Sequence, residues 1–207
     1  MGQKFLKKCK NVDLSFLEDK KYCKMITQLK EDLNKSRFQH TLGVVQAAVV
    51  LAERYDVDIE KAILASLLHD CAKKNESKYE LILSDKACIT KKDMKPSPSY
   101  HAFLGSKVAQ CIYDINDKDV LNAICFHTTG RFGMSDLEKV VYLADLIEPN
   151  RDHLDLEYLR DESMKSLDRG VYAAMNHNLI YLFQNDRLVD KESLLARNEL
   201  LERGFVE

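Results

Sequence analysis

Apolar residues recur at helical spacing along almost the whole chain, and only seven glycines and three prolines interrupt them. The pattern predicts an all-α protein. It is clearest from Lys35 to Tyr55, where Val44, Ala47, Ala48 and Leu51 form a stripe of three- and four-residue steps that leads back to His40. Asp58 is a good N-cap for a following helix, with Glu60 in its first turn. That helix carries Ala62, Ile63, Ala65, Leu67 and Leu68 up to His69-Asp70, and Lys73 and Lys74 are expected in its last turn. Leu14 to Asn34 predicts one or two helices and Tyr79 to Leu83 a short one. The polar, proline-bearing stretch from Lys91 to Ser99 predicts a loop that delivers His101 to a helix start, and Gly105, one turn on, leaves room for something to approach. Asn116-Asp117 caps a helix whose stripe of Val120, Ala123 and Ile124 ends on His127, with Gly130 as its stop. Ser135-Asp-Leu-Glu138 has the spacing of a capping box, and the helix it starts places Asp145 four residues beyond Val141 on the apolar stripe, before Pro149 ends it. Leu156 to Gln184 predicts one long helix and Lys191 to Arg203 a terminal one.

Composition narrows the class. A chain of 207 residues with 45% hydrophobic and 31% charged residues suits one globular domain. A net charge of −2, with lysines scattered among acids, gives no field for nucleic acid. No apolar run is long enough to span a membrane, and the start, Met-Gly-Gln-Lys-Phe-Leu-Lys-Lys, lacks the apolar centre of a signal peptide, so a cytoplasmic protein is expected. Six cysteines (Cys9, Cys23, Cys71, Cys88, Cys111, Cys125) show no Cys-x-x-Cys pair and no regular spacing, which argues against a disulfide framework or a thiolate zinc site.

The chemistry lies in the polar residues that fall on apolar stripes: His40, His69, Asp70, His101, His127 and Asp145. Adjacent helical residues are about 100° apart, so His69 and Asp70 share a cavity only at a helix end. A single inward histidine is ordinarily a hydrogen-bonded core residue. Six such groups together call for a cation, because imidazoles and carboxylates without thiolate suit iron, manganese, cobalt, nickel or zinc. His153, in a charged stretch, and His177, between two asparagines, are expected to be surface or locally hydrogen-bonded residues. Lys73 and Lys74 are expected to be a solvated helix end, close enough to the site to attract phosphate.

The order His40, His69-Asp70, Asp145 resembles the HD-domain superfamily of metal-dependent phosphohydrolases. Five longer stretches are similar to its YqeK-type branch: Ser36-Arg-Phe-Gln-His40-Thr, Leu67-Leu-His69-Asp70-Cys-Ala-Lys73, His101-Ala-Phe-Leu-Gly105, Ile124-Cys-Phe-His127-Thr-Thr-Gly130 and Tyr142-Leu-Ala-Asp145-Leu-Ile-Glu-Pro149-Asn-Arg151. The resemblance implies a single helical bundle over residues 20–207, after an N-terminal extension of residues 1–19, with a metal site in its core. It implies symmetrical hydrolysis of diadenosine tetraphosphate to two ADP, on one or two metal ions, iron being the expected metal. By resemblance His40, His69, Asp70 and Asp145 are the metal ligands, and Asp70, His101 and His127 serve catalysis. His40, His101, His127, Thr128, Asp145 and Arg151 face nucleotide or phosphate, the segment from Leu188 to Ser193 also meets the nucleotide, and the protein forms a homodimer. The same residues leave two alternatives: another HD-type phosphohydrolase acting on a nucleoside monophosphate, a deoxynucleotide or a guanosine alarmone, or a non-catalytic nucleotide sensor.

Overall fold

A computed structural model describes residues 1–95, 97–153 and 155–204. Among the described residues there are eleven α-helices and no strand: α1 (Gly2–Lys10), α2 (Lys20–Asp32), α3 (Lys35–Tyr55), α4 (Ile59–Leu68), α5 (Glu76–Asp85), α6 (Tyr100–Tyr113), α7 (Lys118–Phe126), α8 (Asp136–Ile147), α9 (Leu156–Lys165), α10 (Leu167–Gln184) and α11 (Lys191–Glu202). The all-α expectation holds. Helix α3 forms the spine and packs on α1, α4 and α8, while α7 closes against α4, α6 and α8. Its run from Val44 to Ala52 is buried except for Gln46, so the stripe seen in the sequence is the inner face of a nearly surrounded helix. Phe5 and Cys9 of α1 are fully buried in the same core, which makes the first helix part of the packing.

Local signals set several helix starts. Asn34, Asp58, Asp117 and Ser135 each accept a backbone N–H as N-cap, and Ser135 with Glu138 completes a reciprocal capping box. Two expectations need correction. First, α4 stops at Leu68, so Lys73 and Lys74 lie in the turns after it, with Lys74 in the left-handed region at φ 63°. Second, the long helix expected from Leu156 to Gln184 is two. Ser166 is extended (φ −153°, ψ 157°), and its side chain accepts from Arg169 N to start α10. Gly170 then lets α10 fold back on α9, since a Cβ there would stand 2.6 Å from Ser163 Cα. Apolar periodicity runs through the break because both helices bury a face in the same core.

One disulfide joins Cys88 to Cys111, an isolated bridge 23 residues apart in sequence, and the other four cysteines are free. No helix among the described residues is long and apolar enough to cross a membrane.

Candidate metal centre

Five elements bring their polar residues to one end of the bundle. His40 sits in the second turn of α3, His69-Asp70 in the turn that leaves α4, His101 in the first turn of α6, His127 at the C-terminus of α7, and Asp145 in the last turn of α8. The turn after α4 packs against α6 at Gly105, where a Cβ would stand in van der Waals contact with Cys71 Sγ and His69 O at 3.5 Å. What approaches Gly105 is therefore the chain itself. The imidazoles form a row, with ring centres 5.4 Å apart for His40 and His69, 5.0 Å for His69 and His127, and 5.3 Å for His101 and His127. His69 and Asp70 are fully buried and His127 and His101 nearly so.

Hydrogen bonds assign the tautomers. The Nδ1 atoms of His69, His101 and His127 lie 2.7, 3.1 and 2.8 Å from the carbonyls of Ser66, Pro98 and Ile124, each three residues earlier. A carbonyl only accepts, so each Nδ1 carries the proton and each Nε2 offers its lone pair inward. Those lone pairs face carboxylates. His101 and His127 Nε2 are 3.4 and 3.5 Å from Asp70 Oδ1, and His69 Nε2 is 3.6 Å from Asp70 Oδ2 and 3.9 Å from Asp145 Oδ1. His40 places Nε2 3.0 Å from Asp145 Oδ1 and Nδ1 3.2 Å from Glu148 Oε1.

Burial holds the His69 pKa down at about 3, so that imidazole is neutral. Burial also disfavours charge on His40, but hydrogen bonds to Asp145 and Glu148 outweigh it and raise its pKa. Asp145 stays ionised although burial opposes it, held well below the usual carboxylate range chiefly by the hydrogen bond from His40. Facing lone pairs and anions in a buried space repel unless a cation lies between them. His69 Nε2 is buried with no hydrogen-bond partner. Two sets of ligand atoms, His40/His69/Asp145 and His69/Asp70/His127, each lie within 4.8 Å of one another. The donor set fits a metal ion.

All six inward-facing residues named from the sequence thus meet. Thr128 Oγ1 stands 3.1 Å from His127 Nε2 and 3.4 Å from His101 Nε2. Arg151 donates through Nη2 to Asp145 Oδ1 at 2.8 Å and through Nε to the Asp145 carbonyl at 3.1 Å. Asp190 and Glu192, within the segment Leu188 to Ser193, line a groove of about 340 Å³ with Tyr100, Phe103, Phe126 and Thr129. His153 and His177 stack on each other, 5.1 Å between centres, outside the centre.

Sequence reasoning missed Arg37, Glu148 and Gly43, and read Lys73 as a solvated helix end near the site rather than as a partner of Asp70. Arg37 donates to Asp70 Oδ2 at 2.7 Å, Lys73 pairs with Asp70 Oδ1 at 3.2 Å, and Glu148 receives His40 Nδ1–H. Gly43 makes the space for Glu148, because a Cβ there would fall 2.2 Å from Glu148 Oε2. Each stands three residues from a named ligand, one helical turn away, and that spacing was the signal available.

The chain is similar to known proteins. The chain is 34% identical to the symmetrical bis(5'-nucleosyl)-tetraphosphatase of Halalkalibacterium halodurans, over 86% of this chain and 96% of that protein. It is 35% identical to the protein of the same name from Bacillus subtilis, over 84% of this chain and 94% of that one. A crystal structure from Clostridium acetobutylicum, described as a "predicted HD superfamily hydrolase involved in NAD metabolism", superposes with a TM-score of 0.77 at 34% identity, covering 88% of this chain and 97% of that one. The family model for the HD domain matches residues 37–150, a span that runs from Arg37 to the residue before Arg151 and holds every imidazole and carboxylate of the centre. The chain belongs to the HD domain family.

Proposed function

We infer that this protein is a metal-dependent hydrolase that splits diadenosine tetraphosphate symmetrically into two ADP. The observation that carries the reading is the convergence of His69, His101 and His127 Nε2 lone pairs on Asp70, beside His40 and Asp145, in a chain a third identical over most of its length to two enzymes named for that activity. His40, His69, Asp70 and Asp145 hold the metal, and the nitrogen and carboxylate donors suit iron, as one ion or two. When bound, the metal polarises phosphoryl oxygens and acidifies water.

The protein's own groups do the rest. Glu148 accepts a hydrogen bond from His40 Nδ1–H and keeps its Nε2 turned towards Asp145. Arg37 and Lys73 hold the Asp70 carboxylate in place from outside the row of imidazoles. His101 and His127, with Thr128 bridging them, line up donors and acceptors for the phosphoryl oxygens, and Arg151 adds positive charge beside Asp145. Water attacks one inner phosphorus, the bridging oxygen leaves on the other, and each product is ADP. The same reading includes a homodimer and a cytoplasmic location, and light scattering of the purified protein checks the first.

Incubating metal-loaded protein with a nucleotide panel and identifying every product tests the activity. Diadenosine tetraphosphate should give ADP alone. ATP with AMP, or turnover confined to nucleoside monophosphates or guanosine alarmones, would replace this reading with another.

A further inference from the structure

Two grooves differ in chemistry. One is the groove of about 340 Å³ walled by Tyr100, Phe103 and Phe126, whose Tyr100 and Phe126 directly precede His101 and His127 in the chain. The other, about 590 Å³, lies against the first turns of α3 and the turn after α8, and His40 forms part of its wall. Among the described residues, no phenylalanine or tyrosine lines it. Its lining includes Arg37, Gln39, Lys74, Asn150 and Arg151.

The second groove is cationic in a way the metal centre does not use up. Glu148 is the one carboxylate in its lining, and that carboxylate is engaged by His40 Nδ1 and Asn150 N. Arg37 spends a single donor on Asp70, and Arg151 two on Asp145, so each guanidinium keeps N–H groups beyond those contacts. Lys74 makes no ion pair with any described residue and is exposed. Unengaged cations around a groove that reaches the centre are a place for phosphate.

The chemistry of the reaction demands such a place. A cut at the middle of a tetraphosphate leaves a nucleoside diphosphate on each side of the broken bond. A groove of about 340 Å³ is at the small end of ligand sites, about 300–1,000 Å³, and accommodates one nucleoside.

We propose that the groove lined by Arg37, Lys74, Asn150 and Arg151 is the subsite for the second nucleoside diphosphate half of the substrate, held through its phosphates rather than by stacking of its base. The proposal rests on the reading that the chain cleaves dinucleoside tetraphosphates symmetrically. Arg37 and Arg151 bridge from the metal ligands to the inner phosphate of this half, and Lys74 meets the outer one. Gln39 and Asn150 offer amides to the sugar. Because no phenylalanine or tyrosine among the described residues closes on the base, the identity of that base matters little, so the adenosine–guanosine hybrid turns over at a rate close to that of diadenosine tetraphosphate.

Lys74→Glu tests the subsite, since Lys74 is exposed and touches no proposed metal ligand. Lys118→Glu, at the other end of α7 from His127, makes the same change in net charge elsewhere and serves as the control. Titration calorimetry of metal-loaded protein with ADP should show two ADP bound per chain in the wild type and the control, and one in Lys74→Glu. The KM for diadenosine tetraphosphate should rise about tenfold in Lys74→Glu alone, the worth of one charge-assisted hydrogen bond, with ADP still the only product. One ADP per wild-type chain, or a Lys74→Glu protein that keeps both ADP and the wild-type KM, overturns the subsite while ADP-only products leave the hydrolase reading standing. A wild-type protein that releases no ADP from the substrate overturns that reading, and the subsite with it.

Discussion

His40 is the residue on which the electrostatics of the centre turn, because its two ring nitrogens face two different carboxylates. Glu148 beneath Nδ1 makes the imidazole a stronger ligand, so Glu148→Gln should weaken metal affinity about tenfold or more with the fold intact, as read by competitive chelator titration. Gly43 gives a sharper case. A methyl group there overlaps Glu148, so Gly43→Ala should drive that carboxylate away from His40 and lower metal content, while circular dichroism stays that of the wild type. An alanine variant with full metal content would show that Glu148 does not orient His40. The six inward polar residues were legible because each interrupts an apolar stripe. Arg37, Lys73 and Glu148 were not, because charged residues near helix ends look the same in a sequence whether they meet water or a buried carboxylate.

At the scale of elements, helix starts with a cap at the head of an apolar stripe were readable, and the end of α4 and the break between α9 and α10 were not. Asp58, Asp117 and the Ser135/Glu138 box announced their helices, whereas Ser166 divides α9 from α10 inside an unbroken helical periodicity. That corner has its own electrostatics: Glu162, buried near the end of α9, pairs with Lys165 and with Arg169 at the start of α10. Burial pushes its pKa up, but the two cations outweigh burial and the folded value lies below the ordinary one. A depressed carboxylate stabilises the fold above its unfolded pKa of about 4.3, and this contribution disappears as pH falls through the lower folded value. Urea midpoints of wild type and Glu162→Gln should therefore differ at pH 7 and converge as the solution is acidified below about pH 4. A gap that persists in acid would show that Glu162 acts by shape rather than charge.

The molecule as a whole is a bundle that draws five helix termini and turns to one point and fills that point with groups that repel one another. The fold class followed from periodicity alone, and the family from short motifs around His69-Asp70, His127 and Asp145. The two grooves were not legible, since each is assembled from segments far apart in sequence, such as Arg37 with Asn150 or Tyr100 with Glu192. A cation at the convergence relieves the repulsion in the folded state only, so stripping metal with a chelator should lower the melting temperature, and restoring it should return both stability and activity. The most direct test of the central claim is elemental analysis of the purified protein beside Asp70→Ala, with turnover of diadenosine tetraphosphate measured on the same samples. At least one metal ion per wild-type chain is predicted, with metal and turnover lost together in Asp70→Ala; a wild type that is fully active without metal would contradict it.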